Sequence, residues 1–258
     1  MNFREFEHDG WEKLPQRYHD AFAGLTSQAI EPLLDAVLAG KGIRLLDVAT
    51  GPGYVAAAAA ARGADVTGLD FAAAMVAEAS RRYPAVKFQE GDAEDLPFPD
   101  AGFDAVTMNF GLLHLGRPER AVGEACRVLR SGGRFAFTVW AKPEEARGFG
   151  IVLDAIRKHG NMNAPIPAGP PFFRFSDPEE CRRALLQAGF RRPEVKPVPQ
   201  VWRLQKPLFE IMLGSTVRTG ALLRAQTPAA LEAIRAEVTG SSRSELPMPA
   251  VLATATKP

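Results

Sequence analysis

The stretch Leu-Leu-Asp-Val-Ala-Thr-Gly-Pro-Gly-Tyr at residues 45–54 constrains the fold of this chain most strongly. Its apolar residues lack helical spacing, which is typical of a buried strand in a parallel sheet. Gly51 and Gly53 then flank a proline, and paired glycines allow a sharp turn and a close approach of the backbone to a ligand. The pattern therefore predicts a strand, a tight loop and a helix that together cradle a nucleotide-like ligand.

Two further acids follow strand-like runs at a regular interval along the chain. Asp70 closes the run Ala-Asp-Val-Thr-Gly-Leu, and Asp92 closes the run Val-Lys-Phe-Gln-Glu-Gly. Ligands of open parallel sheets bind beyond the carboxyl ends of the strands. Asp47, Asp70 and Asp92 are therefore expected to line one crevice.

Two kinds of cofactor fit the glycine loop. Residues 51–56 satisfy the dinucleotide pattern G-x-G-x-x-G/A, and Asp70 lies at about the distance expected for a ribose-binding acid. Asp47, however, comes four residues before Gly51, where a pyrophosphate would need backbone N–H groups and no nearby anion. A cationic ligand suits this acid better.

Four ordered motifs support the cationic alternative. They are the glycine loop at 45–54, a ribose motif at 66–71, an adenine motif (Gly-Asp-Ala-Glu-Asp-Leu-Pro-Phe) at 91–98, and a turn into a fifth strand at 127–133. Together they resemble the class I, Rossmann-like S-adenosylmethionine-dependent methyltransferases, nearest the small-molecule enzymes of ubiquinone and menaquinone biosynthesis. The resemblance covers roughly residues 40–140. Ala49 departs from it, because the family often has glycine there and the extra methyl would push the methionine moiety slightly outward.

The resemblance implies an α/β Rossmann-like methyltransferase fold, with a mostly parallel seven-stranded sheet, helices on both faces and an antiparallel last strand. Alternating strand-like and helical runs independently predict repeated βαβ units. The predicted strands cover 43–48, 65–69, 86–90, 103–108, 134–140, 194–198 and 250–254. The predicted helices between them begin at 54, 72, 118, 147 and 176.

We expect a single domain over 1–258 that is divided into four parts. They are an N-terminal helical cap (1–39), a cofactor-binding core (40–142), a proline-rich and mobile insert (143–175) and a helical lid (203–245). In the cap, one helix is predicted through Trp11, Leu14, Tyr18 and Phe22, and a second begins near Thr26 with a distortion at Pro32. Gly132 and Gly133 are predicted to end the helix before the fifth strand, and Ser176 with Glu179 to form a capping box.

The amino-acid composition limits the classes of partner that this chain is expected to bind. The 31 basic and 30 acidic residues nearly cancel, so the chain has no electrostatic footprint for nucleic acid or an anionic membrane. Cys126 and Cys181 are widely spaced and lack a nearby histidine pair, which predicts neither a disulfide nor a metal site. Without an apolar signal region or a run of about 20 apolar residues, a cytoplasmic protein with no stable membrane insertion is expected. A homodimer is left open.

The resemblance assigns the adenosine half of the cofactor to the second and third strand ends. Asp70 is implied to bind both ribose hydroxyls, Asp92 the exocyclic amine of adenine, and the Ala93 backbone N–H a ring nitrogen. Phe71 is implied to pack on the ring. The plainer alternatives are a helix N-cap for Asp70 and core packing for Phe71.

The methionine half is assigned to the glycine loop and the cap. Asp47 is expected to act indirectly, by orienting the loop and favouring the cationic sulfonium and ammonium. The resemblance implies that the Asn109 carbonyl contacts the amino group, and that Tyr18 and Thr26 lie over the carboxylate. The remaining predicted cofactor residues are Ala49, Gly51, Gly53 and Met75.

His114 is the best candidate for a general base, because it follows the fourth strand on the crevice side and histidine titrates near neutral pH. The alternative is a histidine that simply hydrogen-bonds its loop. An apolar acceptor pocket is predicted from residues that could also be ordinary core: Trp140, Phe172, Phe173, Trp202, Phe209 and Met212.

These patterns predict an S-adenosylmethionine-dependent methyltransferase that acts on oxygen, nitrogen or carbon of a small apolar or aromatic molecule, with S-adenosylhomocysteine as product and no metal. A Rossmann-type NAD(P)-dependent oxidoreductase would use Gly51, Gly53 and Asp70 but would leave Asp47 and the adenine motif unexplained. A catalytically silent cofactor-binding protein is the third hypothesis, because no catalytic base is unambiguous.

Overall fold

A seven-stranded sheet lies at the centre of the computed structural model, which describes residues 1–258. The chain forms nine strands, of which all but β7 and β8 belong to this sheet: β1 (Arg44–Val48), β2 (Asp65–Asp70), β3 (Lys87–Glu90), β4 (Phe103–Asn109), β5 (Leu129–Trp140), β6 (Arg191–Val198), β7 (Val201–Arg203), β8 (Glu245–Pro247) and β9 (Ala250–Thr256). Their order in the sheet is β3-β2-β1-β4-β5-β9-β6. β1 to β5 are parallel, and β9 runs antiparallel to both of its neighbours. The predicted fold class is confirmed.

The strand order reverses between β1 and β4. From β1 the chain moves outward through β2 to β3, and then returns to the other side of β1 to form β4. The connections on either side of such a switch point diverge and leave a crevice beyond the carboxyl ends of the two central strands. The topology therefore places a ligand site beside the glycine loop.

Eleven α-helices surround the sheet. They are α1 (Phe3–Glu12), α2 (Pro15–Thr26), α3 (Ile30–Ala36), α4 (Tyr54–Ala61), α5 (Ala73–Arg82), α6 (Pro118–Val128), α7 (Arg147–His159), α8 (Pro178–Gln187), α9 (Leu208–Ser215), α10 (Arg218–Arg224) and α11 (Pro228–Ser241). None of these helices is long and apolar enough to cross a membrane.

The single helix predicted through Trp11 and Phe22 is wrong, because the chain breaks between α1 and α2. Pro15 occupies the first turn of α2, where a missing N–H does no harm, but its ring would clash with a helical carbonyl four residues earlier. α1 begins earlier than predicted, at a capping box in which Asn2 and Glu5 bond each other's backbone N–H at 2.9 Å. The second helix does not run regularly from Thr26: residues 27–29 form a 3₁₀ turn, and α3 begins at Ile30 with Pro32 in its first turn.

The predicted end of the helix before the fifth strand is wrong as well. α6 ends at Val128, and Gly132 and Gly133 lie inside β5. The reason is a long-range pairing: the Gly132 N–H donates to the Lys257 carbonyl at 3.0 Å, and the Lys257 N–H donates to the Gly133 carbonyl at 2.9 Å. The last residues of the chain thus extend this strand.

Two local predictions in the C-terminal half need correction. Asp177, not Ser176, caps α8, and its carboxylate accepts from the Glu179 N–H at 3.0 Å; the Ser176 hydroxyl donates to the Phe173 carbonyl instead. Within the segment 203–245, which was predicted as a helical lid, α9 and α10 are separate helices with a break at Thr216. An unpredicted two-stranded sheet of β7 and β8 brackets the helices α9 to α11.

Candidate active site

A cavity of about 860 Å³, a volume that includes space open to solvent, lies at the point where the strand order reverses. Its walls come from the carboxyl ends of β1, β2 and β4, the segment after β3, and the helices α1 and α2. Twelve of the thirteen residues predicted for the site line it: Tyr18, Thr26, Asp47, Ala49, Gly51, Asp70, Phe71, Met75, Asp92, Ala93, Asn109 and His114. The structure does not bring Gly53 to this cavity.

Asp70 ties the glycine loop to the start of α5. Its Oδ2 accepts from the Gly51 N–H at 2.8 Å, and its Oδ1 accepts from the Ala72 N–H at 3.0 Å. The N-cap of α5 is Ala72, so Asp70 is not a helix cap. Burial raises the pKa of this carboxyl to about 6, although the two N–H donors oppose the shift. Each carboxylate oxygen has a second lone pair, which leaves acceptor capacity for a ligand.

Asp47 lies beneath the loop and is 1% exposed. Its Oδ2 accepts from the Thr50 hydroxyl at 2.6 Å, and its Oδ1 accepts from the Thr107 hydroxyl at 2.9 Å. Burial raises the pKa of Asp47 to about 7, even though both hydroxyls stabilise its charged form. The contact with Thr50 is the geometry expected of an acid that orients the glycine loop.

Asp92 already has two partners. Its Oδ1 accepts from the Glu94 N–H and its Oδ2 from the Arg4 guanidinium of α1, both at 2.9 Å. A ligand amine at Asp92 would therefore share the carboxylate with Arg4.

The charge of the cavity lining has one sign. Its 22 residues include three aspartates and neither lysine nor arginine. Asp47 and Asp70 accept hydrogen bonds from hydroxyl and backbone N–H groups and not from a cationic side chain. Such a lining attracts a cation and repels a phosphate.

Two non-glycine residues at the cavity have left-handed backbone. Ala49 follows β1 with φ +53°, and Phe110 follows β4 with φ +55°. This conformation costs an ordinary residue about 1–2 kcal/mol, and such strain clusters at functional sites. Glycine at position 49 would remove the strain and the methyl, which lies so close to Gly111 that a Cβ built on Gly111 would be 2.6 Å from it.

The two glycines of the loop have different surroundings. Gly51 has φ +52°, and a Cβ built on it meets no atom within 4 Å, so only backbone conformation and the cavity itself favour glycine there. Gly53 has φ +86°, and a Cβ on it would lie 2.8 Å from Phe88 Cζ and 3.1 Å from Ala79 Cβ. Gly53 thus allows α4 to pack closely against its neighbours.

Gly53→Ala is expected to lower the free energy of unfolding by about 1–2 kcal/mol, since the methyl is both conformationally strained and crowded. Gly24→Ala in α2 is the matched control, because its Cβ meets no atom within 4 Å and alanine favours a helix. Urea unfolding of both variants checks the prediction. Equal stability of the two variants would contradict the packing role of Gly53.

The helical cap closes the cavity above β4. The Tyr18 hydroxyl donates to Thr26 Oγ1 at 3.3 Å, and burial raises the pKa of this phenol. The Asn109 side-chain amide donates to the Thr26 carbonyl at 3.3 Å and accepts from the Thr138 hydroxyl at 2.6 Å. These contacts fix the end of α2 to the ends of β4 and β5.

A second, smaller pocket adjoins the first cavity. Trp11 and His114 line both spaces. The other residues of this aromatic pocket are Phe22, Trp140, Phe149, Phe172 and residues 215–219.

The predicted acceptor residues are only partly brought together. Trp140 and Phe172 line the aromatic pocket, and Phe173 packs behind them against Phe149 and Phe172. Trp202 is buried in the core, where its indole N–H donates to the Ala21 carbonyl at 3.0 Å. Phe209 and Met212 are also buried in the core and do not line the pocket.

Sequence reasoning missed Glu7, Trp11 and Arg218 as site residues. Glu7 and Trp11 are one helical turn apart in α1, so their spacing was a usable signal once the start of α1 was recognised. Nothing in the local sequence of Arg218 distinguishes it from the other arginines of the chain.

Comparison with known proteins agrees with this geometry. A profile of the methyltransferase domain family matches residues 46–137. A demethylmenaquinone methyltransferase of Beutenbergia cavernae is 45% identical over 121 residues, which are 45% of this chain and 50% of that protein. One of Thermus thermophilus is 43% identical over 173 residues, which are 61% of this chain and 78% of that protein.

The coverage differs among these relatives, and the matches to the first few span about half the length of each curated relative. Among solved structures, a putative methyltransferase from an antibiotic biosynthesis pathway of Anabaena variabilis has a TM-score of 0.64 at 18% identity. That match covers 88% of this chain and 96% of the other, and it shows a shared fold. The chain belongs to the class I, Rossmann-like family of S-adenosylmethionine-dependent methyltransferases.

Proposed function

We propose that this protein transfers a methyl group from S-adenosylmethionine to oxygen, nitrogen or carbon of a small apolar or aromatic molecule. The observation that carries the proposal is the lining of the switch-point cavity, which holds three aspartates and neither lysine nor arginine. This donor set fits the sulfonium and ammonium groups of S-adenosylmethionine. It does not suit the pyrophosphate of a nicotinamide dinucleotide, so the oxidoreductase hypothesis gains no support.

We assign the parts of the cofactor to different residues of the chain. In this proposal Asp70 binds the ribose, while Asp92, Ala93 and Phe71 hold the adenine. The methionine half lies among the remaining cavity residues: Tyr18, Thr26, Asp47, Ala49, Gly51, Met75 and Asn109. Gly53 acts through the packing of the loop alone.

Methyl transfer from a sulfonium places modest chemical demands on the protein. S-adenosylmethionine supplies an already activated methyl group, so the chain has to bind both reactants, align them and exclude water. Proximity and orientation can contribute about 7–11 kcal/mol to such a reaction. The cap over the cavity and the lid helices beside the aromatic pocket supply the enclosure that alignment requires.

The aromatic pocket indicates the class of the acceptor. Its walls include Phe22, Trp140, Phe149 and Phe172, which suit a flat, apolar ring. The relatives named as demethylmenaquinone methyltransferases make a quinol the first acceptor to test. A cytoplasmic location is a further expectation from the sequence, which leaves a homodimer open.

A screen for transfer of radiolabelled methyl from S-adenosylmethionine tests this function. The acceptors are separate pools of quinols, phenols and amines, and Asp70→Asn serves as the impaired control. We expect label in an aromatic acceptor with the wild-type protein and a strong decrease with the variant. Binding of S-adenosylhomocysteine without transfer to any pool would favour the catalytically silent protein instead.

A further inference from the structure

We propose that His114 is the catalytic base for an aromatic acceptor with an ionisable hydroxyl, and that Glu7 is its positioning residue. The proposal rests on the methyltransferase function above and adds the class of acceptor and the device that removes its proton. It is carried by the arrangement of α1 and α10 around the imidazole between the two cavities.

Glu7 fixes the imidazole through one ring nitrogen. The Glu7 side chain is fully buried, and its Oε2 lies 3.0 Å from His114 Nδ1 and 3.2 Å from Trp11 Nε1. An ionised carboxylate can only accept hydrogen bonds, and an indole N–H can only donate. The proton of a neutral His114 therefore lies on Nδ1, and Nε2 keeps a free lone pair.

The position of His114 suits a base that acts between two bound reactants. Its ring lines both the cofactor cavity and the aromatic pocket, as does that of Trp11. Edge-on contacts hold it on two sides, with ring centroids 4.8 Å from Trp11 and 5.7 Å from Phe172. A hydroxyl in the aromatic pocket would thus lie beside the imidazole and face the cofactor cavity.

Arg218 gives the aromatic pocket a positive wall. Its guanidinium lies 5.0 Å from the Phe3 ring centroid and 5.4 Å from that of Phe172, and it donates to the Pro170 carbonyl at 2.9 Å. Its Nε is 3.9 Å from Glu7 Oε1, an oxygen that has no hydrogen-bond partner. The cation balances the buried Glu7 charge and favours an acceptor oxyanion over an ammonium.

The proton and the electrons are accounted for as follows. His114 Nε2 takes the hydroxyl proton, and the acceptor oxygen keeps the electron pair that forms the new carbon–oxygen bond to the methyl group. The pair of the breaking carbon–sulfur bond stays on sulfur, which leaves S-adenosylhomocysteine. The imidazolium then releases its proton to water.

Nitrogen NMR of the ligand-free protein tests the arrangement directly. Long-range proton–nitrogen spectra at alkaline pH show which ring nitrogen carries the proton in each of the four histidines. We expect the Nδ1–H tautomer for His114, assigned by its loss in His114→Gln, and a shift toward Nε2–H in Glu7→Ala. His159 is an internal control, because its Nε2 contacts Glu237 at 3.1 Å and should carry the proton. An Nε2–H tautomer for His114 in the wild-type protein would overturn the proposal.

Kinetics with 1,4-naphthoquinol as acceptor tests the chemical role. We expect kcat at neutral pH to fall about 100-fold in His114→Gln and about 10-fold in Glu7→Ala, with both losses reduced at alkaline pH, where the acceptor ionises unaided. The charged or titratable groups that share these spaces with the imidazole are Glu7, Tyr18, Asp47, Tyr54, Asp70, Asp92 and Arg218. A loss that persists unchanged at alkaline pH would contradict the base role.

Separate outcomes distinguish this proposal from the methyltransferase function on which it rests. Calorimetry should show that both variants bind S-adenosylhomocysteine within about threefold of wild type, because neither side chain is assigned to the cofactor. His159→Gln should leave kcat unchanged. Failure of the wild-type protein to bind S-adenosylhomocysteine would reject the methyltransferase function, whereas transfer to amines alone would reject only the hydroxyl acceptor.

Discussion

Asp70→Ala is expected to weaken binding of S-adenosylhomocysteine by about 1.5–3 kcal/mol, a roughly 10–150-fold rise in Kd. The carboxylate is expected to bind the ribose hydroxyls, and it also holds the Gly51 and Ala72 N–H groups that shape the wall of the cavity. The variant therefore loses both a direct contact and the support of the loop. Titration calorimetry measures the change.

Asp65→Ala is the matched control for this measurement. Asp65 begins the same strand, β2, but is exposed and remote from the cavity lining. The Asp65→Ala variant should bind S-adenosylhomocysteine with the same affinity as the wild-type protein. Asp70→Asn keeps one carbonyl acceptor and the side-chain volume. It therefore tests whether a loss of affinity in Asp70→Ala is caused by misfolding. Unchanged affinity in Asp70→Ala would exclude Asp70 from the binding site.

The free energy of unfolding of the ligand-free protein is expected to fall as pH rises toward 7. Asp47 has a folded-state pKa of about 7, against an ordinary aspartate pKa of 3.8, so the native state binds more protons than the unfolded chain between these values. Its contribution is fully present below the unfolded pKa and is lost as pH rises through the folded pKa. Asp70, whose pKa is raised to about 6, acts in the same direction.

Asp47→Asn should remove most of this dependence of the free energy of unfolding on pH. Each unit of pKa shift corresponds to about 1.4 kcal/mol. Between about pH 5 and pH 8 we therefore expect the free energy of unfolding to fall by about 2–3 kcal/mol more in the wild-type protein than in Asp47→Asn. Paired carboxylates such as Glu78 and Glu124 have lowered pKa values and lose their stabilisation only at more acidic pH. Urea unfolding at both pH values checks the prediction, with Asp65→Asn as control. Equal slopes in wild type and Asp47→Asn would contradict it.

Local sequence was sufficient where an element is determined by its own residues. The apolar runs before Asp47 and Asp70 predicted β1 and β2, because a buried parallel strand needs little beyond apolar character and a turn. The same holds for α7, which begins at 147 as predicted. The break at Pro15 was also readable, since proline terminates a helix by local sterics.

Long-range partners determined the features that the sequence did not reveal. β5 starts early because Lys257, about half a chain away, pairs with Gly132 and Gly133. Glu7 lies 107 residues from His114, so only the fold shows that a buried carboxylate contacts this imidazole. Trp202 was predicted to line the acceptor pocket. It lies in the core instead, where it packs against Phe22 with a ring-centroid distance of 4.7 Å.

Calorimetric titration of the wild-type protein with S-adenosylhomocysteine and with NAD, in parallel, tests the assignment of the switch-point cavity most directly. An acidic lining that is free of lysine and arginine predicts one site for S-adenosylhomocysteine and no measurable heat for NAD. Binding of NAD without binding of S-adenosylhomocysteine would contradict the assignment.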